Sequence, residues 1–204
     1  MSTFSCPNCG NDVTPTIARA RMVTCPSCDS TILIESEAVR LAGEQGVMHE
    51  VPLLFDIGDT VTCGRTTVTI HGHARFSYGR GFWEEFWGET PKGDPMWVSV
   101  DEGDIVVQKP VLARNFPRRR EDFAPGQALS CQDQSFNVVE VDQADCVAIR
   151  GSFDEELKVG ETYRFVNAQA SNGMLLSGEL WEDGQSWFLG YWFDPFEIKV
   201  RKQS

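Results

Sequence analysis

Four cysteines stand in two Cys-x-x-Cys pairs, SCPNCG (Cys6, Cys9) and TCPSCD (Cys25, Cys28), with 15 residues between the pairs. Each pair sets two thiolates on one tight turn, and two such turns facing each other make a tetrahedral sulfur site. Pro7 and Pro26 stiffen the turns by fixing φ, and Gly10 lets the chain bend past the second thiolate. Four thiolates leave no open position for water or substrate, so the chemistry is structural rather than catalytic. Zinc is the expected ion, and iron also suits a tetrathiolate site. Disulfides are the competing use of the same cysteines, and a reducing cytoplasm opposes them. A segment of about 35 residues has too little core to stay folded without the metal.

The second candidate is GFWEEFWGE, Gly81 to Glu89, four aromatic side chains around two central glutamates. Glycines at 79, 81 and 88 and Pro91 leave about seven residues, too few for a stable helix. On a strand, Trp83, Glu85 and Trp87 share one face, and Phe82, Glu84 and Phe86 the other. Adjacent acids on a strand point apart, which disfavours a paired-carboxylate enzyme. Two readings stay open. In one, the strand is core and Glu84 or Glu85 is hydrogen-bonded. In the other, Trp83, Glu85, Phe86 and Trp87 anchor a protein partner on an exposed face.

Other chemistry is thinner. His71 and His73 of the HGH stretch would share a strand face and could hold a metal, but no ligating acid or cysteine is assured beside them. Residues 109–120, KPVLARNFPRRR, carry +5 between acidic neighbours. Arg118, Arg119 and Arg120 read either as a solvated linker or as a contact for anionic lipid heads or an acidic protein. The whole chain carries −12. That field repels phosphate backbones and argues against nucleic acid as a partner. No apolar run approaches the roughly 20 residues of a membrane span, and MSTFSCPNCG lacks the features of a secretory signal. The expected location is the cytoplasm, with peripheral contact to a membrane left open.

The elements that position these residues repeat. With an offset of 68, Phe55 falls on Phe123, Gly58 on Gly126, Cys63 on Cys131, Val68 on Phe136 and Ile70 on Val138. Later, MWVSV (Met96 to Val100) rhymes with SWFLG (Ser186 to Gly190), and GDIVVQ with FEIKVR. Extra residues in the second copy are expected around Gly151 to Asn167. Alternating Thr, Val, Phe and Trp between glycine-marked turns predicts β-meanders. The expected fold is mainly β: an N-terminal zinc ribbon followed by two tandem small β-barrel or β-sandwich-like repeats. The expected divisions are the ribbon at 1–35, a linker with at most a short helix at 36–50, a first repeat at 51–112, a basic linker at 113–122 and a second repeat at 123–204.

The order of motifs carries a resemblance. It runs from Phe55-x-x-Gly58-Asp59 through a hairpin to Trp83-x-Glu85-Phe86 and a Trp97-led strand. VGETYRFVNAQASNG and WFLGYWFDPFEIKV then follow in the second half. This resembles a bacterial family of unknown function, DUF4178, over Leu53 to Val200, and Gly88 departs from its pattern. The resemblance implies a zinc-ribbon-like N-terminus. It also implies an association with an envelope-stress or polyamine-linked system, a membrane-associated stress protein being one such partner, but no catalytic residues. The expected function is a non-enzymatic zinc-binding adaptor, set against an enzyme or small-ligand sensor with a pocket between the two repeats. The oligomeric state is left open.

Overall fold

The computed structural model describes residues 3–35, 38–49, 51–118 and 122–203. Among them the chain forms sixteen strands, one 3-10 turn (Ala113–Asn115) and no α-helix. The N-terminal part is β1 (Phe4–Ser5), β2 (Asp12–Val13), β3 (Met22–Thr24), β4 (Ser30–Glu35) and β5 (Ala38–Glu44). The first half of the remainder is β6 (Thr60–Cys63), β7 (Thr66–Ser77), β8 (Phe82–Glu89), β9 (Pro95–Asp101) and β10 (Asp104–Pro110). The second half is β11 (Ala128–Cys131), β12 (Gln134–Phe153), β13 (Thr162–Gln169), β14 (Met174–Trp181) and β15 (Gly184–Phe193), with β16 (Lys199–Arg201) closing the chain.

The two halves build one closed barrel. Eight antiparallel strands pair in the order β7-β8-β9-β10-β15-β14-β13-β12, and β12 returns to β7. Each half supplies four consecutive strands. One seam pairs Ile105 with Phe193 through to Pro110 with Phe188. The other pairs Phe76 with Cys146 through to Gly72 with Gly151. Closure leaves neither half with an open edge at a seam, the recurring solution for antiparallel sheets.

The offset of 68 reappears in the backbone. Gly58 N–H donates to the Ile70 carbonyl at 2.9 Å, and Gly126 N–H to that of Val138 at 2.8 Å. The Ile70 and Val138 amides donate in turn to Asp59 and Gln127. Cys63 and Cys131 are both buried at the ends of the short leading strands. The later rhyme is off by one strand. MWVSV lies in β9, third of its half after the leading strand, whereas SWFLG lies in β15, the fourth. By strand order the partner of β9 is β14, MLLSGELW; similar residues at different positions misled the comparison. The extra residues of the second half begin earlier than expected, at the end of β12. They pair with β7, carry the ribbon and enter the loop at 154–161.

The described residues of the expected linker are tied to the ribbon and to the barrel. The 36–50 segment contains β5, which pairs with β4 as Ile34↔Val39 and Ile32↔Leu41. Those apolar cross-strand contacts favour a strand over the short helix allowed by composition. Past β5, Gly46 bridges to Ala148, and Ile149 N–H donates to the Gln45 carbonyl at 2.8 Å. On the other flank, β3 pairs directly with the end of β12, Val23 with Ser152 and Met22 with Phe153. Ile17, Met22 and Leu33 of the ribbon share one apolar cluster with Phe153 and Leu157 of the barrel. Arg19 completes the joint, meeting Glu89 at 2.9 Å and lying over the Trp87 ring.

Candidate functional site

The two cysteine turns have the same backbone. Gly10 N–H donates to the Cys6 carbonyl at 2.9 Å, and Asp29 N–H to that of Cys25 at 3.0 Å. Both turns end on a residue with positive φ, Gly10 at 76° and Asp29 at 60°. This brings the Sγ atoms of Cys6, Cys9, Cys25 and Cys28 within 4.8 Å of one another. Cys6 lies 3.7 Å from Cys28, and Cys9 3.8 Å from Cys25. A tetrahedron with metal–sulfur bonds of about 2.3 Å has sulfur–sulfur edges of about 3.8 Å, so the four thiols fit one metal ion. Asn8 Nδ2, 3.7 Å from the Cys28 sulfur and 2.9 Å from Ser30 Oγ, supplies an outer contact.

A second site lies inside the barrel. All eight strands face a cavity of about 580 Å3, within the usual range for small-molecule pockets. An eight-stranded barrel either fills its interior with side chains or holds one small ligand. Here small inward residues, Ser99 and Ser177, alternate with large ones and leave space. Strands β7, β9, β13 and β15 run toward one end, where Tyr78, Arg80 and Glu102 form the rim. β12 runs to the other end, and the loop after it turns back with Leu157 as a plug. That plug rests on the ribbon cluster described above.

One wall is aromatic. Trp83 stacks on Phe76 at 5.3 Å and on Tyr78 at 5.9 Å, and meets Phe165 edge-on at 5.5 Å. The opposite wall is a chain of polar groups. Gln108 Nε2 donates to Ser177 Oγ at 3.0 Å, and that hydroxyl donates to Asn167 Oδ1 at 2.7 Å. Asn167 Nδ2 donates to Glu140 at 2.9 Å near the rim.

Two carboxylates, Glu85 and Glu179, line the cavity, and a third, Glu155, lies outside its lining in a neighbouring smaller pocket. Glu85 accepts from Trp83 Nε1 at 2.9 Å and from the Ser99 hydroxyl at 2.8 Å. Burial pushes its carboxyl up to about 7, in spite of those two donors. Burial, with repulsion from Glu85, does the same to Glu179, also to about 7. Glu155, beside the plug and hydrogen-bonded by Trp97, is pushed up to about 8 by burial and by the charge of Glu179. Spatial convergence of acids held near neutral pKa marks a functional site more often than a structural one.

The outer face of β8 is a different environment. Glu84 receives His73 Nε2–H at 2.6 Å and Arg75 Nε–H at 2.8 Å. His73 Nδ1 accepts from Arg150 Nε at 3.1 Å, and Arg150 also holds Asp56 at 2.6 Å. An imidazole that donates on one nitrogen and accepts on the other is neutral, consistent with the downward push of burial on His73. Burial opposes ionisation of Glu84, but its hydrogen bonds from His73 and Arg75 outweigh that and lower its pKa. His73 is fully buried and stacked on Phe86 at 4.3 Å, so this network is a clamp inside the protein rather than an accessible centre. HGH therefore supplies no paired metal site: a bulge between Ile70 and Gly72 breaks the strand parity there.

The face assignment of GFWEEFWGE holds, and both faces become enclosed toward Phe86 and Trp87. Trp83, Glu85 and Trp87 point to the barrel interior side, and Phe86 packs on Phe55 at 4.5 Å outside it. Phe86 and Trp87 are 1% and 0% exposed, so the expected surface anchors at these two positions are corrected to core. The β6–β7 hairpin and the ribbon cover faces that the sequence left open. Trp83 and Glu85 line the cavity. Phe82, which sequence reasoning left out of the anchor set, is 60% exposed. Gly88 departs from aliphatic residues for a local reason: a Cβ there would run into the Thr69 carbonyl across the bulge. Arg118 is exposed, while Arg119 and Arg120 lie outside the described residues. The preceding part of the basic segment is partly anchored, with Val111 buried and Pro117 accepting a bond from Gln185. Sequence reasoning missed Glu155 and Glu179, which carry no local motif.

Among the described residues no helix is long and apolar enough to cross a membrane. A family model described as a domain of unknown function, DUF4178, matches residues 56–195, which is the barrel with its leading hairpins. No curated protein and no solved structure matches the chain.

Proposed function

The chain belongs to the DUF4178 family, and from its geometry we propose that it is a small-ligand-binding protein whose ligand enters the barrel lumen. The observation that carries this is the 580 Å3 cavity, walled by aromatics on one side and hydrogen-bonding groups on the other. It corresponds to the sensor alternative, a pocket between the two repeats, with both halves of the barrel lining it. The adaptor reading has lost Phe86 and Trp87 as contacts, and the exposed Phe82 and Arg118 do not by themselves make a surface. Within this proposal the four cysteines hold zinc in a structural role, and the reduced cysteines suit the cytoplasm. The role proposed is binding without turnover. Coupling to an envelope-stress or polyamine-linked system would then act through occupancy of the barrel.

The test is a titration of tryptophan emission and thermal midpoint against small-molecule classes. Trp83 reports directly, because it lines the cavity. At least one class should shift both signals, and Ser177→Phe, which fills the lumen, should abolish the response while staying folded. A full screen that leaves both signals unmoved, or a response that survives Ser177→Phe, would sink the reading.

A further inference from the structure

Glu179 is the least satisfied group in the lumen. It projects from β14 into the cavity, and no hydrogen-bond or ion-pair partner serves its carboxylate among the described residues. Its electrostatic neighbours are two further acids, Glu85 and Glu155. A carboxylate that is desolvated against a cavity wall and faced only by like charge is costly to ionise, and a cationic ligand would relieve that cost. Glu85 is only half served: its two donors are neutral, an indole N–H and a hydroxyl.

The rim continues the pattern. Asp101, Glu102, Asp104, Glu140 and Asp142 line the cavity, and Arg80 is the single basic residue that does so among the described residues. Arg80 lies 6.0 Å over the Tyr78 ring at the mouth. Negative charge at the mouth and depth of a low-dielectric cleft concentrates cations and repels anions. The aromatic wall adds the face of Trp83, a surface that attracts ammonium groups.

A bare metal ion is a poor occupant. Among the described residues, the four cysteines are the one group of three or more ligating side chains close enough to hold an ion. The lumen acids are therefore too far apart to close a coordination shell. The volume also exceeds what a single ion fills. A larger cation with its charge on nitrogen and a carbon frame meets both conditions.

We propose that the lumen receives an organic cation, an alkyl ammonium whose nitrogen is held by Glu179 and Glu85 and whose carbon chain lies along Trp83 and Phe165. This rests on the ligand-binding reading of the barrel and names the class of ligand. A neutral ligand would leave Glu179 unpaired, and an anion would meet like charge at every depth. The charge-assisted hydrogen bonds are the main source of selectivity. The Gln108–Ser177–Asn167 chain fixes the position of the opposite wall.

Four probes of equal chain length separate the possibilities: hexylamine, 1,6-diaminohexane, 1,6-hexanediol and hexanedioate. Calorimetry at pH 8 and fixed ionic strength measures binding to the full chain, its zinc loaded. The amines should bind about tenfold or more tightly than the diol, the ratio expected for one charge-assisted hydrogen bond, and the dianion should not bind. Glu179→Gln, which keeps the shape, should remove that preference, and Ser177→Phe should remove binding altogether. Diol binding equal to amine binding, sensitive to Ser177→Phe, would overturn the cation and leave the lumen reading standing. Amine binding unchanged by both substitutions would place the amines on the acidic surface and overturn the proposal. Absence of binding by every probe would also overturn it, while the lumen reading is judged separately by its own screen.

Discussion

Replacing Glu179 by glutamine should stabilise the empty protein, by an amount that grows as pH rises from about 4.5 toward 7. The carboxyl is raised from its ordinary 4.5 to about 7 by burial and by Glu85. A folded value above the unfolded one means that the folded state holds the proton more tightly. Stability then falls as pH rises from about 4.5 toward 7, and the full penalty is present above that. At about 1.4 kcal/mol per pH unit the span amounts to about 3 kcal/mol, an upper bound because part of it is mutual repulsion with Glu85. The charged groups bearing on the pair are Glu155 and Asp101, while Asp154 and Arg21 act on Glu155. Glutamine at 179 removes the charge and none of the hydrogen bonds, since none is made. Urea unfolding of variant and wild type at pH 5, 6, 7 and 8 measures the effect. The difference between the two proteins cancels the pH dependence of the metal thiolates. A gain below about 1 kcal/mol at pH 5, rising to about 2–3 kcal/mol at pH 8, is the expected result. Parallel profiles at every pH would show that Glu179 is not held in a desolvated, like-charged site, and the electrostatic account of the lumen would fail with it.

Two further outcomes follow from other parts of the structure. Stripping the metal with a chelator should lower the thermal midpoint of the barrel as well as unfold the ribbon, because β3 pairs with β12 and Met22 packs beneath the plug. Elemental analysis should find one ion per chain, and a barrel midpoint unchanged by chelation would show that the two parts are energetically separate. Glu84→Ala should cost about 3–5 kcal/mol, since it strands Arg75 in a buried position and removes the acceptor of His73. Glu84→Gln should recover part of that, and a urea midpoint untouched by Glu84→Ala would remove the clamp from the list of stabilising features.

The parts legible in the sequence were those with local spacing. Cys6 to Cys28 announce a metal turn because each pair closes within four residues. The offset of 68 was legible because the leading hairpins carry equivalent hydrogen bonds, so the same side chains are needed at Gly58 and Gly126. Strand parity placed Trp83, Glu85 and Trp87 together correctly. What parity cannot state is which elements cover each face. Phe86 looked available until Phe55 and His73 were placed against it. The joining of two halves into one barrel was hidden for a related reason: its seams pair Ile105 with Phe193 and Phe76 with Cys146, with no signal in either segment alone. The site followed the same rule. Glu85 stood out among aromatics, while Glu179, in an ordinary SGELW strand, becomes notable only when the barrel brings it toward Glu85. Segment 36–50 misled because glycines and charges read as a linker, although Val39 and Leu41 had partners waiting on β4.

The two seams also govern how such a chain reaches its native state. Neither can form until segments some 70 to 90 residues apart have met, a topology of high contact order that folds slowly. On a ribosome the strands from Thr66 to Pro110 emerge before β12 and β15, with β10 and the 72–76 part of β7 as bare edges. Those edges must wait for β12 and β15 of the same molecule. A neighbouring chain offers the same strands with the same register. Exchange of half-barrels between two copies is therefore the characteristic misassembly of this architecture, and crowding at synthesis is the condition that promotes it.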